Sequence, residues 1–137
     1  MGIRVENLQK SYGTEEVLTG LDLDIPDGTF FSVVAPTGAG KTTLLRIMAG
    51  IESADGGTVY YDGRDMSTVA VQDRSVGMVY QEFVNYPSLT VRENLASPLE
   101  VSDKNYSRDE INQRVEETAK MLKIDHILNN LPEEVSG

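Results

Sequence analysis

The sequence predicts an α/β fold, and two observations predict it. The first is a strand–turn–helix unit. An apolar run from Phe30 to Ala35 leads into a turn carrying Gly38 and Gly40, and a helix opens near Lys41 with Leu44, Leu45, Ile47 and Met48. A short, continuous apolar run of this kind reads as a strand buried on both faces. The second is a change of period: apolar residues alternate early in the chain and recur at helical spacing later.

The elements follow in order. Ile3, Val5 and Leu8 alternate loosely and read as a strand over residues 2–8. Leu18, Leu21, Leu23 and Ile25 mark a half-buried strand over Val17–Ile25, closed by a turn at Pro26, Asp27 and Gly28. After the strand–turn–helix unit, Gly50 sits where a helix C-cap is expected. Gly56 and Gly57 break the chain, Thr58–Tyr61 is a strand, and Asp62-Gly63 is a strong hairpin turn. Val76 to Tyr80 is a further short apolar strand. Thr90 and Glu93 have capping-box spacing and open a short helix with Leu95. Ser107 and Glu110 open a second helix, in which Ile111, Val115, Thr118 and Leu122 form one face and Lys120 and Lys123 fall in the last turn. That face reads as core packing. A further helical turn starts at Asp125, and Pro132 breaks it.

Bulk properties narrow the function. The 137 residues make at most one domain, and the formal net charge of −10 argues against a non-specific nucleic-acid binder. It does not oppose a small anion, because local backbone dipoles and one lysine suffice to hold one. With no cysteine there is no disulfide frame or thiolate zinc site, which suits a reducing compartment. No apolar run approaches the ~20 residues of a membrane span, and the N-terminus lacks a signal-peptide core. Any membrane role is therefore expected to come through a partner.

The strand–turn–helix unit carries the chemistry. Ala35, Pro36, Thr37, Gly38, Ala39, Gly40, Lys41, Thr42 and Thr43 follow the phosphate-loop pattern G-x-x-x-x-G-K-[ST], with alanine in the first glycine position. Glycines let backbone N–H groups close around phosphate oxygens, and the helix N-terminus adds unpaired donors and a positive dipole end. Lys41 is expected to reach the β- and γ-phosphates and the Thr42 hydroxyl to sit on Mg²⁺. ATP and Mg²⁺ are the cofactors this pattern suggests.

With these residues in place, the chain resembles the first part of an ATP-binding-cassette (ABC) transporter ATPase subunit over essentially all 137 residues. The resemblance implies a P-loop NTPase fold with an N-terminal antiparallel β subdomain, a partial RecA-like core and part of a helical subdomain. It implies that β subdomain and phosphate-loop core occupy about 1–85, and the helical subdomain about 86–137. Tyr12, in Lys10-Ser11-Tyr12-Gly13, matches the aromatic that stacks on adenine, and Val17 is carried over as a nucleotide contact. Gln81, after Gly77–Tyr80, is similar to the glutamine that touches Mg²⁺ or the attacking water. The stretch from Tyr86 through Asn94 and Leu95 to Pro98 and Leu99 is similar to the segment that receives a permease coupling helix, as in importers of sugars, polyols and glycerol phosphates. Leu131 to Gly137 resembles the approach to the family signature, so Ser136 and Gly137 are implied to face the nucleotide of a second subunit.

The resemblance thus implies transmembrane permease subunits and a second ATPase subunit as partners, on the cytoplasmic face of the inner or plasma membrane. In the family the signature is followed by an apolar strand ending in Asp-Glu, the Walker B strand, and by a switch histidine. Asp109 and Glu110 follow polar residues, Asp62 belongs to a turn, and His126 precedes the signature, so none is a substitute. The expectation is a chain truncated before Walker B, lacking the catalytic glutamate. Two alternatives stand beside this reading. One is a non-catalytic module that binds nucleotide or a partner without turnover. The other is a different phosphate-loop enzyme such as a GTPase or kinase, although the Asn-Lys-x-Asp motif of guanine specificity does not occur.

Overall fold

The computed structural model describes residues 1–82 and 84–135. The chain divides into two compact units, Met1–Val79 and Tyr80–Gly137.

The first unit is built on a four-stranded antiparallel sheet. Strand β1 (Ile3–Tyr12) pairs with β2 (Glu15–Ile25) on one side and with β3 (Gly56–Tyr61) on the other, and β3 pairs with β4 (Arg64–Asp65). The pairing runs from Ile3↔Ile25 to Tyr12↔Glu15 across β1 and β2. The loose alternation of β1 has a structural cause. Val5 and Leu8 are both buried although an odd number of steps separates them, which an unbroken strand would forbid. The register shifts between them, and Asn7, at φ 47°, takes up the extra residue while its N–H donates to Asp22 Oδ1 at 2.7 Å. This bulge returns Leu8 to the core face. The Asp62-Gly63 turn joins β3 to β4 with φ of 48° and 80°, the left-handed pair of a type I′ hairpin.

Helix α1 (Lys41–Ala49) supplies Leu44, Ile47 and Met48 to a core shared with Val5, Leu8 and Val59. Gly50, at φ 80°, caps its C-terminus as expected. Two expected strands are not formed. The segments Phe30–Ala35 and Val76–Tyr80 make no ladder, and Phe30 and Val34 are 98% and 92% exposed. A strand buried on both faces needs a neighbour on each side. Among the described residues all strand pairing lies within the antiparallel sheet, which leaves these apolar runs without partners. The α/β class holds, with the β subdomain and helices present and the parallel part of the core unladdered.

The second unit packs α2 (Val91–Glu100) against α3 (Arg108–Leu122) through Ala96, Val115, Ala119 and Leu128. Both capping boxes form reciprocally, Thr90 with Glu93 and Ser107 with Glu110. Lys123, at φ 59°, ends α3. The expected helical turn at Asp125 is a 3-10 turn over Asp125–Ile127. Pro132 does not merely break it: it opens another such turn, Pro132–Glu134, at a position where its missing N–H costs nothing.

Candidate functional site

The loop between the unpaired run and α1 is shaped by its backbone. Gly38 and Gly40 adopt φ of 84° and 80°, a region closed to most residues. The Ala39 N–H closes a turn onto the Pro36 carbonyl at 3.3 Å, and the Gly40 carbonyl accepts the first helical bond, from the Leu44 N–H, at 2.8 Å. The two glycines differ in surroundings. A Cβ at Gly38 would meet nothing within 4 Å, whereas one at Gly40 would lie 2.8 Å from Val17 Cγ1 and 3.1 Å from the Val17 carbonyl. Gly38 faces open space, and Gly40 is pressed onto β2.

Val17 therefore stands behind the loop as its backing. Ala35, in the first glycine position, does not have positive φ, so the alanine costs no strain. Lys41 folds over the loop and donates from Nζ to the carbonyls of Ala35 at 2.7 Å and Pro36 at 2.6 Å. An ammonium has three donors, and among the described residues two of them are taken by these carbonyls. Among the described residues no side chain caps the α1 N-terminus, and no acid lies in its first turn. Its orphan N–H groups and positive dipole end are thus unopposed locally, despite the net charge of −10. Thr42 is exposed and Thr43 half-buried. An open cleft of about 380 Å³ lies alongside, bounded by Val17, Gly20, Ala35, Gly40 and Lys41. This donor set, cationic and rich in backbone N–H groups with hydroxyls on the exposed Thr37 and Thr42, fits a polyphosphate with its divalent cation.

Tyr12 ends β1 and is 48% exposed. Its hydroxyl donates to a Glu52 carboxylate oxygen and lies 3.5 Å from Thr43 Oγ1, which ties the strand end to α1. Glu52 escaped sequence reasoning because this contact spans 40 residues and follows no motif. Arg74 escaped for the same reason. Its guanidinium donates to the carbonyls of Met48 at 3.1 Å and Met66 at 2.7 Å, holding the C-terminal end of α1.

The loop residues, Val17 and Tyr12 share the first unit. Gln81 belongs to the second and is exposed. Ser136 and Gly137 lie outside the described residues. In the second unit, Asn94 fixes the segment before α2. Its Oδ1 accepts the Tyr86 N–H at 2.8 Å, and its Nδ2 donates to the carbonyls of Tyr86, Leu89 and Thr90 at 3.0, 2.9 and 2.9 Å. Beside it runs a largely apolar groove of about 510 Å³, bounded by Pro87, Val91, Leu95, Ile124, Ile127 and Val135. Among the described residues no helix is long and apolar enough to cross a membrane.

Comparison with known proteins bears on the family and the fold. A family model described as "ABC transporter" matches residues 18–137. The chain is 40% identical over 139 aligned residues to the sulfate/thiosulfate import ATP-binding protein CysA of Bacillus cereus, covering all of this chain and 39% of that protein. It is 39% identical over 136 residues to the alpha-glucoside transport ATP-binding protein AglK of Rhizobium meliloti, covering 99% of this chain and 37% of that protein. The chain thus spans about two-fifths of the length of these relatives. Among solved structures, it superimposes on a dimeric structure of MJ0796, a bacterial ABC transporter cassette, with a TM-score of 0.88 and 29% identity. It superimposes equally on a post-hydrolysis dimeric state of that cassette bound to ADP and Pi, with a TM-score of 0.87. Each match covers 98% of this chain and 63% of the other.

Proposed function

We propose, from the premise that this chain belongs to the ABC transporter family, that it binds Mg·ATP and supplies part of the ATP site that energises solute import. The observation that carries the reading is the loop itself: Gly38 and Gly40 at positive φ lead into a helix whose N-terminus no side chain caps among the described residues, with the Lys41 ammonium held over it. Backbone N–H groups of the loop and of the first turn of α1 bind the phosphates, and Lys41 turns its remaining donor to the terminal phosphates. The Thr42 hydroxyl would hold the cation, and Gln81 keeps the role of cation or water contact that the sequence resemblance implies for it. Bound Mg²⁺ supplies neutralisation of the phosphate charge. Tyr12 stacks on the base. Ser136 and Gly137 begin the surface that meets the nucleotide of a second ATPase subunit. The layout of a β subdomain and phosphate-loop core to about residue 85, and a helical subdomain from about 86, accompanies this reading.

Partners and cargo are proposed from the relatives, of whose length this chain spans about two-fifths. The groove beside Asn94 offers an apolar, pre-shaped seat for a helix of a transmembrane permease, which would place the chain on the cytoplasmic face of the membrane. The named relatives import sulfate or thiosulfate and transport alpha-glucosides, so a sugar or a small oxyanion is the solute class they support.

The test is the dependence on the cation. In Thr42→Val, which keeps shape and loses the hydroxyl, affinity for ATP in the presence of Mg²⁺ is expected to fall toward that measured with chelator. A Mg²⁺ effect as large in Thr42→Val as in the parent would overturn the assignment.

A further inference from the structure

Glu52 reaches back from beyond α1 to the end of β1, where it gathers three groups. Its carboxylate accepts the Tyr12 hydroxyl and lies 3.7 Å from Lys10 Nζ and 3.6 Å from Arg46 Nε. The Glu52 side chain is 17% exposed and that of Lys10 14%, so this ion pair is the most sheltered of the three contacts. Lys10 is held in turn: its ammonium donates to the Ser53 carbonyl at 2.9 Å and to Asp55 Oδ1 at 3.3 Å. From there it stands over the Tyr12 ring, 5.4 Å from the centroid. A cation at that distance is attracted to the ring face and occupies it. With Tyr12 still 48% exposed, the face away from Lys10 is the one that can take a base.

We infer that Glu52 is a positioning residue for base recognition: it pins the Tyr12 hydroxyl and holds Lys10 against one ring face, so that the other is presented to a purine. The inference rests on the reading of Tyr12 as the stacking residue. A tyrosine at a strand end otherwise has rotamer freedom to lose on binding, and anchoring its far end removes that cost in advance. The arrangement also gives the hydroxyl a task that stacking alone does not require.

The experiment compares Mg·ATP with Mg·tripolyphosphate, a ligand that has phosphates and no base, by titration calorimetry on the chain and its variants. Glu52→Ala is expected to weaken ATP binding about three- to tenfold, the value of one anchoring hydrogen bond, and to leave tripolyphosphate unchanged. Tyr12→Phe, which removes only the hydroxyl, is expected to reproduce that loss. Glu52→Gln keeps an acceptor and is expected to restore most of the ATP affinity. Added to Tyr12→Ala, Glu52→Ala is expected to cost nothing further, since the two act as a unit. Equal losses for both ligands, full additivity with Tyr12→Ala, or a Tyr12→Phe variant that binds like the parent would overturn the inference. If Tyr12→Ala weakens ATP while Glu52→Ala does not, the inference fails and the stacking reading survives. If Tyr12→Ala binds ATP normally, the stacking reading fails and takes the inference with it.

Discussion

Two glycines two residues apart perform different work. Gly38 needs only its positive φ, because its surroundings are open. Gly40 needs positive φ and the absence of a Cβ, because Val17 Cγ1 would lie 2.8 Å away. Gly38→Ala is therefore expected to cost about 1–2 kcal/mol of stability, the price of a left-handed backbone. Gly40→Ala is expected to cost about 1–3 kcal/mol more, because overpacking against β2 adds to the same backbone strain. Urea unfolding of the two variants checks the order, and equal losses would contradict it. The loop was legible in the sequence because its residues are contiguous and each has a chemical reason at its position. Glu52 and Arg74 were not legible, because their partners lie at the far end of a strand and at a helix terminus, and no spacing records such contacts.

At the scale of elements, what was legible was what is encoded locally. Both capping boxes could be read from two residues each, and both form. The Asp62-Gly63 hairpin and the Gly50 cap are likewise set by a few adjacent residues. The expected strands at Phe30–Ala35 and Val76–Tyr80 depend on neighbours in a sheet, and hydrophobicity alone cannot provide a hydrogen-bond partner. The caps also set a pH dependence. Hydrogen bonds from Thr90, backbone N–H first, hold Glu93 below the usual carboxylate range, and those from Ser107, hydroxyl first, do the same for Glu110. A carboxyl whose folded pKa is depressed contributes stability above its unfolded value, near pH ~4.3. That contribution is lost as pH falls through the folded value. Unfolding midpoints are therefore expected to drop on the acid side, and Glu93→Gln with Glu110→Gln is expected to flatten that limb. An acid limb equally steep in the double variant would contradict the assignment.

At the scale of the whole molecule, the chain has an antiparallel β unit bearing the glycine loop and α1, and a helical unit bearing an apolar groove. Capture of Mg·ATP by the first is the central claim, and Lys41 is the residue on which it turns. Its ammonium is the one side-chain cation bonded to the loop among the described residues, and it is held there by two loop carbonyls. Loss of a charge-assisted contact of this kind is worth ~1.5–3 kcal/mol, or about 10- to 100-fold in affinity. The most direct measurement is a calorimetric titration of Mg·ATP into the parent chain and into Lys41→Ala, with urea unfolding of both to establish that each is folded. A 10- to 100-fold weaker dissociation constant in the folded variant is the predicted result; an unchanged constant would contradict the account.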